Sequence, residues 1–380
     1  MKRKHAAIPV SLCMAAVLSL GLPIQALAGS PEFSRTAEEW ARLRDNVLEY
    51  GEIEALVHEY NVTVLNNERQ YELQRRELDI ADNKTAAYWD QAARNWEAAG
   101  QATNDAERAQ FEAAALTAEQ SAITNVQDRE TARIEKTIAE KNIVKQAQST
   151  MNTYYQLQCQ LTSLRKNREL LAAMVTSTQG RQSQGMATAA DVLDAQQKVQ
   201  NADAQIIAME SQIESTRQNL IVMLGWKQGD APEIRGIPEV DMNRIAAMNM
   251  ELDTQTAIAA DYTLKLDERK EGNTSNETNR NLYHQKVSDD RQQIAVAVSD
   301  SYQKVMQAKA NFDEAALNMD VASKNWNTSN TKYQLGTISR IENLQAEAAF
   351  VTAQSEMEQK KLELFQALEN YDWIIKGVRS

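Results

Sequence analysis

Asp191 and Glu342 are the two acids whose surroundings are duplicated in the chain, and a held pair of carboxylates can divide general-acid and general-base roles. Their local sequences point to a different task. Each acid stands three residues after a hydroxyl residue, Thr188 or Ser339, and each hydroxyl follows three residues after a glycine, Gly185 or Gly336. Glycine accepts the left-handed backbone that ends a helix. A hydroxyl residue with an acid three positions later forms a reciprocal cap that starts the next one. Capping is the expected role of both acids. His58 and His284 lie far apart, and neither sits in a ligand-spaced cluster with Cys or paired acids, so no metal is expected. Cys159 stands between Leu157 and Leu161 and reads as a half-buried helical residue, with intermolecular pairing as the alternative. The chain has no phosphate-cradling glycine loop, no nucleophile elbow and no supported Cys–His pair. Neither an enzyme nor a cofactor is expected.

The elements around these turns must be long helices. Of 380 residues, 43% are hydrophobic, only 6% are aromatic, and five are proline. No proline occurs from Glu32 to Ala231 or from Glu239 to Ser380, whereas an α/β or β-sandwich chain of this size needs a turn every dozen residues or so. Residues 1–28 read as a signal peptide: Lys2, Arg3 and Lys4, then an apolar run, then Ala26-Leu27-Ala28 as cleavage site. Leu12 precedes Cys13 where lipidation would want a small residue, so cleavage is expected. The formal net charge of −12 becomes more negative without the three N-terminal bases, which opposes binding to nucleic acid. The acidic surplus has two readings, a solvated helical exterior or an electronegative lining.

An internal repeat organises the rest. The stretch from Gln184 to Ala195 returns as Leu335 to Ala346, shifted by 151 residues without a gap. Beyond each turn a seven-residue register follows: Val192, Val199, Ile206, Ile213 and Leu220 in one copy, Phe350, Met357, Leu364 and Tyr371 in the other. Such a register makes a left-handed coiled coil, and alanines in the companion series (Ala195, Ala202; Ala346, Ala353, Ala367) permit close approach. Lys360 interrupts that series and is expected to reach solvent. Upstream, Leu56, Glu59, Tyr60 and Val62 align with Ile258, Asp261, Tyr262 and Leu264 at a shift of 202. The first half then carries 51 extra residues between its landmarks. With turn signals at Gly100–Asp105 and Gly272–Asn276, the extra length is expected to extend the first hairpin by arms of about 25 residues, or about 38 Å. The expected division is a first half at 29–226, a linker at 227–245 rich in Gly and Pro, and a second half at 246–380. The fold class is all-α: antiparallel coiled-coil hairpins in two tandem repeats.

A signal peptide, tandem halves and a paired Gly-x-x-Thr/Ser-x-x-Asp/Glu-x-Leu-x-Ala turn resemble the TolC-type outer-membrane efflux protein family. Tyr371-Asp372-Trp373 with Gly377 resembles that family's closing segment, and Leu224-Gly225-Trp226 its first-half counterpart. The resemblance implies a homotrimer forming a tapered helical tunnel, working with a membrane-fusion adaptor protein and an inner-membrane transporter. It implies that the adaptor engages the tip turns: Gly185, Thr188, Asp191 and Leu193, with Gly336, Ser339, Glu342 and Leu344. The chain departs from the family at one place. A barrel strand needs about nine to eleven alternating residues, and neither Trp89–Phe111 nor Leu266–Tyr283 alternates. The tunnel is therefore expected without the family's barrel strands, either lacking its membrane-spanning end or belonging to an envelope with no conventional outer membrane; export to the cell envelope is expected, and the outer membrane is what the resemblance implies. A coiled-coil spacer of the envelope without transport is the alternative function.

Overall fold

With so few breakers, each helix runs until a cap stops it. The computed structural model describes residues 35–379 apart from 44, 79–83 and 275; the proposed signal peptide lies outside the described residues. In chain order the first half contains α1 (Ala37–Leu43), β1 (Val47–Leu48), α2 (Ile53–Tyr60), α3 (Val62–Leu78), α4 (Lys84–Gln101), α5 (Asp105–Thr124), α6 (Arg129–Ser183) and α7 (Ala189–Met223). The second contains β2 (Glu233–Ile234), α8 (Met242–Ala246), α9 (Met250–Ala260), α10 (Tyr262–Asn273), α11 (Glu277–Gln334) and α12 (Arg340–Ile375). The fold is all-α in substance. β1 and β2 form one short parallel bridge, and no strand lies near the α4–α5 or α10–α11 turns among the described residues.

α6 has 55 residues and α11 has 58, so at 1.5 Å per residue each spans about 80 to 90 Å. α7 returns along α6, α12 returns along α11, and α12 also packs on α6. The four long helices therefore lie in the order α7, α6, α12, α11. The heptad series seen in the sequence is the packed seam: Val192, Ala202 and Leu220 are buried on α7, and Leu364 and Tyr371 on α12. Lys360 does reach partway to solvent, where it pairs with Glu363 at 2.9 Å.

The core concentrates near mid-length. Ile53, Leu56 and Val57 of α2 meet Val144 and Met151 of α6, Leu220 of α7 and Trp373 of α12. Ile294, Val298 and Val305 of α11 meet Leu364, Leu368 and Tyr371 of α12. Two helix breaks frame this region. Asn61 separates α2 from α3, its Oδ1 accepting from the Thr63 and Val64 amides; Asp261 separates α9 from α10, its Oδ1 accepting from Leu264 N. These breaks correct the sequence alignment. The equivalent residues are Asn61 and Asp261, 200 apart, not Tyr60 and Tyr262 at 202. The cap decides register here, and the neighbouring tyrosines only imitate a match.

Each break is clamped by a glycine from the end of its own half. A Cβ on Gly225 (φ +98°) would fall 2.2 Å from Tyr60 Cβ, and one on Gly377 (φ +91°) 2.3 Å from the Ala260 carbonyl oxygen. Glycine is needed twice over at both sites, for its left-handed backbone and for its missing side chain. The C-terminal end is held further by Arg379, which pairs with Asp290 at 2.8 Å and with Asp261.

The extra residues of the first half fold as a separate helical hairpin rather than as continuous arms. α4 and α5 have 18 and 20 residues, giving a hairpin about 30 Å long, shorter than the expected 38 Å. Asn125–Asp128 breaks the path into α6, because Asp128 caps α6 in a reciprocal box with Thr131. Buried Ala92 and Ala99 face buried Ala115, Ala118 and Ala122, so small residues let the two helices approach closely.

Candidate functional site

The repeated turns are built alike. At the first, Gly185 (φ +76°) donates its N–H to Gln182 O at 2.9 Å, and Met186 N donates to Arg181 O at 2.8 Å. At the second, Gly336 (φ +72°) donates to Tyr333 O at 2.9 Å, and Thr337 N donates to Lys332 O at 2.9 Å. Both are Schellman stops, which satisfy the last carbonyls of α6 and α11. The helix starts follow at once. Thr188 N donates to Asp191 Oδ2 at 2.7 Å while Asp191 N donates back to Thr188 Oγ1 at 3.1 Å. Ser339 N donates to Glu342 Oε2 at 2.7 Å and Glu342 N donates to Ser339 Oγ at 3.2 Å. The backbone amide of each hydroxyl residue, then its side chain, holds the acid below the ordinary carboxylate range. Asp191 and Glu342 are occupied as caps and are not presented as a catalytic pair.

The two turns point to the same end but are not level. Ser339, Arg340, Ile341 and Leu344 line a cleft with Ala173, Thr176 and Ser177 of α6, eight residues or more short of Gly185. The repeat-related leucines also differ: Leu344 is 8% exposed against α6, whereas Leu193 is 66% exposed. The turns carry two further exposed apolar residues that the motif did not single out, Met186 and Leu335. Each adjoins its glycine, and an apolar residue beside a solvent-facing stop was the available signal.

Away from the turns, one face of α6 is wholly polar. Asn142, Lys145, Gln146, Ser149, Thr150 and Thr153 recur at helical spacing and line a groove of about 840 Å³ between the ends of α7 and α12. Burial pushes the Lys145 ammonium below its ordinary range. On the α2 side of the wall, His58 Nδ1 lies 2.8 Å from Glu140 Oε1. That hydrogen bond raises the His58 pKa against the opposing effect of burial. Burial pushes Glu140 up, but the hydrogen bond and charge of His58 prevail and lower it. Cys159 is half-buried, and burial pushes its thiol up. Among the described residues no group of three His, Cys, Asp or Glu is placed to hold a metal ion. Nor is any of the described helices long and apolar enough to cross a membrane.

No family model and no curated protein matches the chain. Solved structures do. The outer-membrane channel OprN superposes with a TM-score of 0.52 at 12% identity, covering 89% of this chain and 92% of that one. A membrane protein from Pseudomonas aeruginosa gives 0.51 at 12% identity, over 84% and 93%. The Campylobacter jejuni CmeC outer membrane channel gives 0.50 at 8% identity, over 90% and 88%. At such identities the likeness establishes the fold, which is that of a TolC-like helical tunnel.

Proposed function

We propose that the chain is the protomer of a passive efflux conduit of the cell envelope, three copies closing into a tunnel that an adaptor and an inner-membrane transporter engage at the glycine turns. The observation that carries the reading is a contact made in only one of its two repeat-related forms. Within the protomer α12 packs on α6; shifting both by 151 residues gives α7 on α11, which do not pack together in one chain. The counterparts of that contact include the exposed apolar residues Leu193 and Leu317 beside exposed polar ones such as Gln303 and Glu314. Leu344, 8% exposed, has Leu193 at 66% as its counterpart. On α11 the same shift sets Leu317, the counterpart of Lys166, opposite Gln196, the counterpart of Glu347, and Leu317 is exposed. A second copy supplying α11 to this α7 buries both leucines. Such a head-to-tail contact builds a ring wherever its rotation closes.

The ring also assigns its faces. The inner side of a closed wall has the shorter circumference, so the bulk of α1, α2 and the β1–β2 bridge belongs outside. The opposite, polar face of α6 then lines the path. At that level the lining is amide, hydroxyl, Lys145 and Arg379, with Val222 and Met223 of α7 and no acid, which supports placing much of the acidic surplus elsewhere. No group on this path is asked to do chemistry; the attached pump supplies the energy.

Mass photometry of the mature chain tests the assembly: a discrete oligomer is expected, and a stable monomer at micromolar concentration would sink the reading. Co-purification with an adaptor tests the docking end. Gly185→Val with Gly336→Val should abolish capture, and undiminished capture by a folded double variant would remove the turns from the interface.

A further inference from the structure

The α4–α5 hairpin has two unlike sides. Buried Ala92 and Ala99 mark the seam of α4, and buried Ala115 and Ala122 that of α5. Trp89 and Trp96 each lie three residues before a seam alanine, about 60° round the helix; Leu116 and Ile123 each lie one residue after, about 100° round in the same sense. In an antiparallel pair, equal rotation from the seam leads to the same side. The Trp96 Nε1–H donating to Glu119 Oε1 at 2.7 Å, across from α4 to α5, places that side directly. Trp89, Trp96, Leu116 and Ile123 thus form one exposed apolar flank. The other flank carries Gln91, Glu107 and Ser121.

Two helices alone leave such a flank open, and a partner that covers it must suit its charges as well as its apolar residues. Lipid fits poorly. The acids Asp90, Glu97, Asp105, Glu107, Glu112 and Glu119 outnumber the bases Lys84, Arg94 and Arg108, and Glu112 and Glu119 lie between the seam and Leu116. Neither helix is apolar enough to enter a bilayer core. A second copy fits better, because the hairpin base is tied to the body. Lys84 N donates to Gln127 O at 3.4 Å, and Asn125 Nδ2 donates to Thr85 Oγ1 at 3.2 Å. Asn273 Nδ2, from the second half, donates to Val126 O at 3.0 Å, and Arg269 Nε to Asp128 Oδ2 at 2.6 Å. Both halves therefore fix where the hairpin starts. In a ring the copies hold their hairpins at one end, at the high effective concentration that tethering gives.

We propose that the α4–α5 hairpins of neighbouring copies pack together through the Trp89, Trp96, Leu116 and Ile123 flank, turned toward the ring axis, as a helical crown on the end of the conduit. The inference rests on the ring described above and adds a second contact between copies. The test uses the full mature chain with Cys159→Ser and either Leu116→Cys or, on the opposite flank, Gln91→Cys. Both positions are exposed, so neither change disturbs the fold. After treatment with a short bis-maleimide, Leu116→Cys should give covalent dimer at several times the yield of Gln91→Cys. Sedimentation on the same samples separates the outcomes. A monomer overturns the ring and the crown with it. An oligomer in which Leu116→Cys links no better than Gln91→Cys overturns the crown alone. Flotation with phosphatidylcholine and phosphatidylglycerol vesicles, lost on Trp89→Ser with Trp96→Ser, would assign the flank to lipid instead.

Discussion

Replacing Leu193 and Leu317 with serine should weaken the proposed ring while leaving the protomer folded. The two are 66% and 69% exposed in the single chain, so neither supports the protomer core. If the α7–α11 contact between copies reproduces the α12–α6 contact within one, Leu193 falls to the 8% of Leu344. Burying somewhat over half of a leucine gains roughly 1 kcal/mol. The double variant therefore loses about 2 kcal/mol per interface, about thirtyfold in association constant. Sedimentation velocity across a concentration series reads this directly. The wild-type chain should stay assembled at concentrations where the variant has become monomer. Circular dichroism and the urea midpoint of the variant monomer should match those of diluted wild type. An unchanged dissociation curve would refute the repeat-derived interface. A variant that unfolds would show that these side chains serve the protomer itself.

Gly185→Ala and Gly225→Ala should differ in urea denaturation. The first meets open space and costs about 1–2 kcal/mol for its left-handed backbone. The second adds a collision with Tyr60, worth about 1–3 kcal/mol more; equal midpoints would contradict the clamp. The His58–Glu140 pair should leave a bounded window of stability. A raised histidine pKa contributes stability that is complete below its unfolded value near 6.5 and lost as pH climbs through the folded one. The lowered Glu140 contributes above its unfolded value near 4.5 and is lost as pH falls through the folded one. His58→Gln should flatten the alkaline side of a midpoint-against-pH curve, and an unchanged slope there would dismiss the pair.

Legibility in the sequence followed the range of the interactions. The turns at Gly185 and Gly336 were fully readable, because a Schellman stop and a capping box are settled within about ten residues. The α7 and α12 seams were readable for the same reason, since a heptad repeat states which face is covered. The upstream alignment failed where a long-range clamp, Gly225 against Tyr60 and Gly377 against Ala260, fixes the geometry. No local pattern reports a glycine packed against a helix break more than a hundred residues away. The turn of the extra hairpin is marked in the sequence but its base is not, and the 18 and 20 residues of α4 and α5 fall short of the expected arms. Asp128 and Thr131 look like ordinary polar residues of a helix until Arg269 and Asn273 are brought beside them. The tip leucines were read as equivalent because the repeat is a symmetry of sequence, whereas burial depends on which neighbour each copy has.

That last difference carries a physical reason for the way the two halves have diverged. In the proposed ring each inter-half contact would occur twice, once within a chain and once between chains. The internal version is made by tethered elements and adds polar pairing to its apolar core: Lys166 with Glu347 at 2.7 Å, and Trp373 Nε1–H donating to Gln148 at 2.8 Å. The 151-residue shift turns the first of these pairs into Leu317 with Gln196. A contact between separate chains must also overcome the lost freedom of association. An exposed ion pair contributes little toward that, at most about 1 kcal/mol. Apolar burial contributes more per residue, which is what Leu317 offers where Lys166 stands in the covalent copy. The exchange of charge for leucine at position 317 is the substitution a chain needs if its second half is to meet the first half of a neighbour. Leu317→Lys with Gln196→Glu should therefore restore the polar pairing of the internal contact but a weaker ring, separating the two versions in a single sedimentation experiment. Equal assembly by that double variant and the wild type would show that the apolar residues at this contact are not what draws the copies together.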